Sequence, residues 1–262
     1  MSPTTPLGPK KPRILVVANQ KGGVGKTTTT VNLAACLAAA EKKTLLLDMD
    51  PQGNATSGVG INKNECDITS YHVLMGEASI TETMKPTELP SLFCVPSNGN
   101  LIGAEVELVN LEERETRLKT ALELVRSQFD YILIDCPPSL GFLTLNALTA
   151  ADSVLIPVQT EYYALEGLSS LMDTIERVRE SFNTSLEIEG ALLTMHARTS
   201  LAAQVAEEVR KFFGEKVYQT VIPRNVQLSE SPSYGKPIIL YDIRSTGAQA
   251  YLNLAKEMIH HD

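Results

Sequence analysis

Residues 13–28 read Arg13-Ile-Leu-Val-Val-Ala-Asn-Gln-Lys-Gly-Gly-Val-Gly-Lys-Thr-Thr28, and this stretch decides the fold. The uninterrupted apolar run at 14–18 is typical of a β-strand that is buried on both faces of a sheet. A glycine-rich turn follows, and apolar residues then recur at helical spacing from Thr27 to Ala40. A strand, a tight loop and a helix in this order predict the first unit of an α/β protein.

The rest of the chain repeats this alternation. Further apolar runs predict strands at 44–47, 131–134, 154–158, 188–193 and 217–222. Helical periodicity predicts helices near 111–127, 140–151, 164–180, 201–213 and 248–259. We therefore expect a doubly wound, mainly parallel sheet flanked by helices, with loops and short elements at 52–110. The proline-rich residues 1–12 suit a flexible tail, and residues 13–262 show no change in composition that would mark a second domain.

The glycine-rich turn has the composition of a phosphate-binding loop. Gly22, Gly23 and Gly25 let successive backbone N–H groups turn towards a phosphate, and the following helix adds the positive end of its dipole. Lys26 would reach the β- and γ-phosphates, and the Thr27 hydroxyl would coordinate Mg²⁺. The match to GxxxxGK[ST] is loose, because Lys-Gly-Gly opens the loop where an ordinary one has Gly-x-x. The alternative, a βα turn without a ligand, is disfavoured by the flanking strand, the helix and the Lys-Thr pair.

Three aspartates follow predicted strands. Asp135 ends the run 131–134, and a carboxylate at the carboxyl end of a central strand can hold a Mg²⁺-bound water. In a chain without a phosphate loop, Asp135 could equally well be a carboxylate that ends a strand and caps the turn before Pro137 and Pro138. Asp48 and Asp50 end the second strand, and alternation places both on the same side of the chain, where one of them could orient an attacking water.

These motifs resemble those of the ParA/MinD family of P-loop ATPases. The stretch Lys21-Gly-Gly-Val-Gly-Lys-Thr-Thr-Thr29 is similar to the family's deviant Walker A motif. Asp48-Met-Asp-Pro-Gln-Gly-Asn54 looks like its second motif, and Asp135-Cys-Pro-Pro138 looks like its Walker B motif. The resemblance runs from Arg13 to the end of the chain, and residues 199–201, 222–225 and 228–232 look like the chromosomal ParA (Soj) branch.

The resemblance implies ATP and Mg²⁺ as cofactors and gives individual residues their roles. Lys21 matches the signature lysine, which contacts the phosphates of the partner subunit in a nucleotide-sandwich dimer. Asp50 matches the residue that positions or activates water, whereas Asp48 matches a group close to Mg²⁺ but not bound to it. The nucleotide-binding positions are Lys21, Gly22, Gly23, Val24, Gly25, Lys26, Thr27 and Thr28 for the phosphates, and Pro223, Arg224 and Asn225 for the adenine. An asparagine amide can both donate to and accept from an adenine edge, although a simple turn would also explain Pro223 to Asn225.

Members of the ParA branch are expected to bind double-stranded DNA without sequence preference as ATP-bound homodimers. Their ATPase activity is weak until DNA and a ParB-like partner with a basic N-terminal peptide stimulate it. Relatives often carry an arginine where this chain has Gln227, which can still donate a hydrogen bond to a phosphate. The candidate DNA contacts are Arg198, Lys211, Lys236 and Gln227, with Arg210 and Arg244 as further cations. Each of the cations could instead be ordinary solvated surface charge.

The overall charge is negative, which argues against a nucleic-acid partner, but this charge is distributed unevenly along the chain. Lys and Arg total 23 against 31 Asp and Glu, a net charge of −8. Residues 1–50 carry a net charge of +4, residues 51–194 carry −13, and residues 195–262 carry +1. The acidic middle could attract a basic partner or simply keep the protein soluble. A single subunit should therefore bind DNA poorly, and a duplicated basic patch in a dimer should bind it better.

Other sequence features exclude several classes of protein. The four cysteines form no CxxC pair and the four histidines show no metal-ligand spacing, so we expect buried thiols and a reducing, cytoplasmic setting. Association with the nucleoid is implied only by the resemblance to the ParA branch. Cys94 and Cys136 invite comparison with a subunit-bridging iron–sulfur cluster, which the position of Cys136 beside Asp135 disfavours. The predicted helix 248–259 is apolar on one side but carries one lysine, so it reads as a core helix and not as a membrane anchor.

Two other functions remain open from the sequence. A MinD-like switch that controls the division site would use the same ATPase motifs but would bind membrane instead of DNA. A metabolic P-loop ligase, which uses ATP to activate a small acid, would require neither Lys21 nor nucleotide-driven dimerisation. Lys21 therefore disfavours the ligase, and the weakly basic C-terminal helix disfavours the MinD-like switch.

Overall fold

The computed structural model describes residues 12–161 and 166–261. The strands are Arg13–Val17 (β1), Thr44–Asp48 (β2), Lys85–Pro86 (β3), Leu92–Val95 (β4), Tyr131–Asp135 (β5), Ser153–Gln159 (β6) and Glu187–Thr194 (β7). The helices in the first half are Lys26–Ala39 (α1), Asn54–Gly58 (α2), Ser70–Met75 (α3), Ile80–Thr83 (α4), Leu101–Glu107 (α5) and Arg117–Glu123 (α6). Those in the second half are Phe142–Ala150 (α7), Glu166–Ser181 (α8), Ser200–Phe213 (α9), Val226–Glu230 (α10), Ile238–Tyr241 (α11) and Thr246–His261 (α12).

The strands form one seven-stranded sheet in the order β3-β4-β2-β5-β1-β6-β7. Every pairing is parallel except the short β3–β4 pair at one edge. Helices cover both faces, which explains why the central strands are apolar without alternation. The predicted doubly wound, mainly parallel α/β fold is confirmed, and β1 lies at its centre between β5 and β6.

One hydrophobic cluster fills each face of the sheet. Alternate residues of β1 contribute to the two clusters: Ile14 and Val16 face the helices α5 to α9, whereas Leu15 and Val17 face α1 and α12. On α12, the apolar side chains that point towards the sheet are buried: Ala248, Tyr251, Leu254, Ala255 and Met258. The predicted core role of this C-terminal helix is confirmed. Among the described residues, none of the helices is long and apolar enough to cross a membrane.

The predicted strand at 217–222 is wrong. The segment follows the outer edge of β7 and makes single bridges, Val217 to Ala191 and Pro223 to His196, instead of a continuous ladder. Between them, the Gln219 and Thr220 amides donate to the carboxylate of Glu257 on α12, at 2.7 and 2.9 Å. These two donors turn away from β7, whereas the Tyr218 and Ile222 amides donate to β7 carbonyls, so the segment contacts β7 without forming a continuous ladder.

Smaller differences concern the least periodic part of the chain. The segment 52–110 contains two strands, β3 and β4, and β4 pairs with β2 along four residues. The apolar run 92–95 is as long as the runs predicted as strands at 44–47 and 131–134, so it also fits a buried strand. The predicted helix at 111–127 shortens to α6, and the helix at 164–180 is described from Glu166. Of the predicted tail 1–12, residues 1–11 lie outside the described residues.

Candidate functional site

The glycine-rich loop joins β1 to α1 at the carboxyl edge of the sheet. Gly23 and Gly25 have φ angles of +73° and +88°, a left-handed conformation that glycine adopts without steric strain. The loop is anchored to β6 by Asn19, whose side-chain amide donates to the Pro157 carbonyl at 2.7 Å and whose Oδ1 accepts the Lys21 amide at 3.0 Å. The loop therefore has the backbone shape that a phosphate cradle requires.

Lys26 begins α1 and is only 7% exposed. Its ammonium group donates to the carbonyl of Lys21 at 3.1 Å, which curls the side chain back beneath the loop. Burial lowers the pKa of Lys26, while the carboxylates of Asp135 and Asp50 act in the opposite direction. A buried cation with only a carbonyl acceptor is poised to exchange that acceptor for the oxygens of an anion.

Asp135 ends β5 and is fully buried beside this lysine. Its Oδ1 accepts a hydrogen bond from the Thr30 hydroxyl at 3.0 Å, whereas its Oδ2 is buried with no partner among the described residues. Burial and the neighbouring Asp48 carboxylate raise the pKa of Asp135 to about 8. An unsatisfied carboxylate oxygen costs free energy, and an oxygen-preferring divalent cation or its bound water would satisfy it.

The donor set fits magnesium bound together with phosphate. In the part of the chain that the structure describes, no three His, Cys, Asp or Glu side chains are grouped to hold a metal ion by themselves. Mg²⁺ takes one or two protein ligands and completes its octahedral shell with water and phosphate oxygens. Thr27, on the first turn of α1, and Asp135 are the residues that would hold it. The four cysteines are all buried free thiols, in line with their predicted structural role.

Asp48 and Asp50 lie on the same edge but differ in their surroundings. Asp48 is the register partner of Asp135 in the sheet, and burial raises its pKa to about 6. Both of its oxygens accept hydrogen bonds: Oδ1 from the Asp50 amide at 3.0 Å, and Oδ2 from the Thr56 amide and hydroxyl at 2.8 and 2.7 Å. Asp48 therefore holds the loop that carries Asp50, whose own Oδ1 accepts the Gln52 amide at 2.9 Å.

A cavity of about 310 Å³ opens beside the glycine-rich loop. The predicted adenine residues Pro223, Arg224 and Asn225 line it together with Gly25 and Thr28, so residues some 200 positions apart in the sequence meet here. The fold therefore places an apolar cleft next to the phosphate loop, where the base and sugar of a nucleotide would lie.

The polar groups of Arg224 and Asn225 already have partners in this structure. Asn225 caps α10, since its Oδ1 accepts the Leu228 amide at 3.1 Å, and its side-chain amide donates to the Thr246 hydroxyl at 3.1 Å. Arg224 is mostly exposed and forms an ion pair with Glu161 at 3.1 Å. These contacts leave one amide proton and one lone pair of Asn225 for a ligand.

Three residues of the site carry no sequence signal. Thr194 ends β7, is buried, and donates a hydrogen bond from its hydroxyl to the Val24 carbonyl at 2.8 Å. Met195 follows with a φ angle of +48°, and Tyr251 on α12 lies within 3.1 Å of the Thr29 hydroxyl on α1. All three line the cavity. Only the fold brings them to the loop, so pattern reading could not find them.

The candidate DNA-contacting residues are scattered over the C-terminal part of the surface. Arg198 is exposed between β7 and α9 and has no ion-pair partner among the described residues. Lys211 pairs with Glu207 at 3.0 Å, and Lys236 lies 3.5 Å from Glu88. Gln227 is half-buried on α10. The further cations Arg210 and Arg244 are both exposed.

Known proteins are similar to this chain over most of its length. A family model described as an AAA domain matches residues 12–188. The sporulation initiation inhibitor protein Soj of Bacillus subtilis is 60% identical over 247 residues, which cover 94% of this chain and 98% of Soj. The chromosome partitioning protein ParA of Myxococcus xanthus is 58% identical, covering 95% of this chain and 89% of that protein.

A solved structure also matches over almost the whole chain. Cobyrinic acid a,c-diamide synthase from Mycobacterium smegmatis, with bound ADP and magnesium, superimposes with a TM-score of 0.84 at 36% identity. The match covers 95% of this chain and 94% of the synthase. The sheet, the glycine-rich loop and the identity to proteins named Soj and ParA all agree with the sequence resemblance. The chain belongs to the ParA/Soj family of chromosome-partitioning P-loop ATPases.

Proposed function

We propose that this chain is a DNA-partitioning ATPase that binds MgATP and dimerises around two nucleotides. The dimer binds DNA without sequence preference and hydrolyses ATP when DNA and a ParB-like partner stimulate it. The observation that carries the proposal is the buried Lys26 ammonium beneath the glycine-rich loop, beside the unpartnered Oδ2 of Asp135. A phosphate with its cation satisfies both groups, and the similar synthase structure contains ADP and magnesium.

The residues of the loop divide the work of phosphate binding. Lys26 releases the Lys21 carbonyl and donates to the β- and γ-phosphate oxygens, while amides from Gly22 to Thr28 donate around the phosphates. Thr27, through its hydroxyl, and Asp135, through a water, hold Mg²⁺, which when bound neutralises charge on the phosphates. A bound Mg²⁺ next to Asp135 would favour the ionised form of its carboxyl group over the protonated form.

Lys21 and Asp50 are assigned to the hydrolytic step. The backbone amide of Lys21 is held by the side chain of Asn19 at 3.0 Å, while the Lys21 side chain is only partly buried. A fixed backbone with a free side chain suits a lysine that reaches the phosphates of a second subunit, where it acts as an arginine finger does. The Oδ1 of Asp50 accepts the Gln52 amide, and we assign its other oxygen to the attacking water.

Arg198 is the first choice among the DNA contacts. Lys211 and Lys236 lie near carboxylates that partly cancel their charge, whereas Arg198 is unpaired in the described part of the chain. Non-specific binding needs cations facing phosphates, and a dimer presents each of them twice. Since each subunit carries a net charge of −8, we expect appreciable affinity only when dimerisation brings two such patches onto one duplex.

The test measures retention of a random-sequence duplex by the Asp50→Ala protein without nucleotide, with ADP and with ATP. We expect retention only with ATP, and no retention by Lys26→Ala in any state. In the ATP state, Arg198→Ala should lower the slope of log affinity against log salt by about two per dimer, with unchanged ATP binding. Lys211→Ala is the matched control, because that exposed lysine is ion-paired, and its slope should change less.

Other outcomes would favour the two alternatives. A MinD-like switch would bind anionic vesicles with ATP and would not retain DNA, although the apolar side of α12 is buried here. A metabolic ligase would consume ATP only with an acid substrate, without ATP-dependent dimerisation. Retention that is independent of nucleotide, or absent with ATP, would contradict the partitioning function.

A further inference from the structure

The segment that follows Asp135 connects the phosphate site to helix α7. It begins buried at Cys136 and Pro137, reaches the surface at Pro138 and Ser139, and enters α7 at Phe142. The conformation of this segment depends on where α7 begins. Its position beside Asp135 means that a shift of α7 would move the backbone next to the nucleotide phosphates.

The N-terminus of α7 is capped by a residue from another helix. The capping position is Gly141, which has no side chain to offer. Instead, Glu105 on α5 accepts the Phe142 amide with Oε2 at 2.8 Å and the Leu143 amide with Oε1 at 3.3 Å. A carboxylate at the first amides of a helix is favoured both by the hydrogen bonds and by the helix dipole.

Gly141 and Glu105 fit each other sterically. A Cβ atom on Gly141 would come within 2.8 Å of the carboxylate carbon of Glu105. The Gly141 backbone, with a φ of −86°, is otherwise open to any residue. A side chain at this position would therefore be accommodated by moving the Glu105 carboxylate away from the cap. Further along α7, Asn146 donates to the Arg114 carbonyl at 2.7 Å, and Thr144 donates to the Ser139 carbonyl at 2.6 Å. Glu105 therefore acts together with Thr144 at the end of α7 nearest the site.

We propose that Glu105 is a positioning residue for ATP hydrolysis. It touches neither nucleotide nor metal, but it fixes the start of α7 and so holds segment 136–141 in the conformation that the hydrolytic step needs. The proposal rests on the ATPase activity proposed above. It predicts that losing the cap slows the chemical step and leaves nucleotide affinity nearly unchanged, because the phosphate loop itself is held by other contacts.

The main experiment compares steady-state ATP hydrolysis of the wild type, Glu105→Ala and Glu105→Gln. We expect Glu105→Ala to lower kcat at least tenfold, with a KM for ATP within about twofold of the wild-type value. Glu105→Gln keeps one acceptor oxygen and should recover most of the rate. The control is Glu82→Ala, which removes a glutamate cap on α4, where Glu82 accepts the Ser79 amide at 2.9 Å. Glu82→Ala should leave both kcat and KM unchanged.

A second pair of variants separates positioning from a general loss of stability. Gly141→Ala should clash with Glu105 and lower kcat, and adding Glu105→Ala should relieve the clash, so the two effects will not multiply. The chain contains no tryptophan, so Ser139→Trp gives a single fluorophore on segment 136–141. The change in tryptophan emission that MgATP causes should differ between Ser139→Trp alone and Ser139→Trp combined with Glu105→Ala.

Failure of this proposal is distinct from failure of the proposed function. If the wild type does not hydrolyse ATP either alone or with DNA and a ParB-like partner, the ATPase function itself is wrong. If the wild type hydrolyses ATP and Glu105→Ala has the same kcat, Glu105 does not position the segment. The same conclusion follows if the substitution raises only the KM for ATP and leaves kcat unchanged. A fall in kcat that Glu82→Ala reproduces would also overturn the proposal, because the loss would then reflect stability alone.

Discussion

Replacing Thr194 by valine tests whether β7 holds the phosphate loop in its binding conformation. The Thr194 hydroxyl donates to the Val24 carbonyl at 2.8 Å, in a buried hydrogen bond between residues 170 positions apart. Valine has the same shape but no donor, so the Val24 carbonyl loses its partner. The next residue, Gly25, has a φ of +88° and begins the turn into α1, which makes the Val24–Gly25 peptide a pivot of the loop.

The size of the effect follows from that single bond. Leaving a buried acceptor unsatisfied costs about 1–3 kcal/mol. If the bond is needed to keep the loop amides directed at the phosphates, the whole cost falls on nucleotide binding. Because each 1.4 kcal/mol is a factor of ten, ADP should bind the Thr194→Val protein about 5- to 150-fold more weakly.

Calorimetric titration with ADP and magnesium measures this loss, and urea unfolding measures the accompanying change in stability. Thr194→Ser is the matched control: it keeps the hydroxyl and loses one buried methyl group, worth about 0.8 kcal/mol, so its ADP affinity should stay near the wild-type value. If Thr194→Val binds ADP as the wild type does while its free energy of unfolding falls by 1–3 kcal/mol, the bond stabilises the fold without shaping the loop.

Two further predictions concern stability. Burial raises the pKa of Asp135 to about 8 and that of Asp48 to about 6, so between pH 4 and 8 these two carboxyl groups bind more protons in the native nucleotide-free protein than in the unfolded chain. Their contribution to the free energy of unfolding should therefore fall as pH rises through this range, and Asp135→Asn should make the pH dependence less negative in urea titrations; equal slopes would contradict this. Glu257→Ala removes the acceptor of two backbone amides in segment 217–222 and should cost about 1–3 kcal/mol, whereas the exposed neighbour variant Lys256→Ala should cost less than about 0.5 kcal/mol.

The fold and the left-handed turn of the glycine-rich loop could be predicted from the sequence because both depend on local pattern. A buried parallel strand needs an uninterrupted apolar run, and a phosphate loop needs glycines, a lysine and a hydroxyl at fixed spacing. The strand prediction for segment 217–222 was wrong because its composition is that of a strand, while two of its backbone amides donate to Glu257, some forty residues further along. Local pattern carries no information about such a competing acceptor.

Contacts between distant segments also account for what was missed in the site. Thr194, Met195 and Tyr251 are unremarkable by composition, yet each is brought to the loop by the order of strands and by the packing of α12 on α1. The interpretation of Asn225 was incomplete for the same reason. The resemblance assigns its side chain to adenine, but the side-chain oxygen also caps α10 and the side-chain nitrogen donates to Thr246. Neither contact can be predicted without knowing the positions of α10 and α12.

The cavity beside the glycine-rich loop is lined by residues from both ends of the chain, which suggests how the proposed DNA binding could depend on ATP. Its walls are the loop at 22–28 and the segments around Thr194 and Pro223. Arg198 follows Thr194 by four residues, and Gln227 follows Pro223 by four. A nucleotide that fixes these walls would also fix the backbone that carries both candidate DNA contacts. ATP could therefore act on DNA affinity within each subunit as well as by dimerisation, and a monomeric, ATP-bound variant would separate the two contributions.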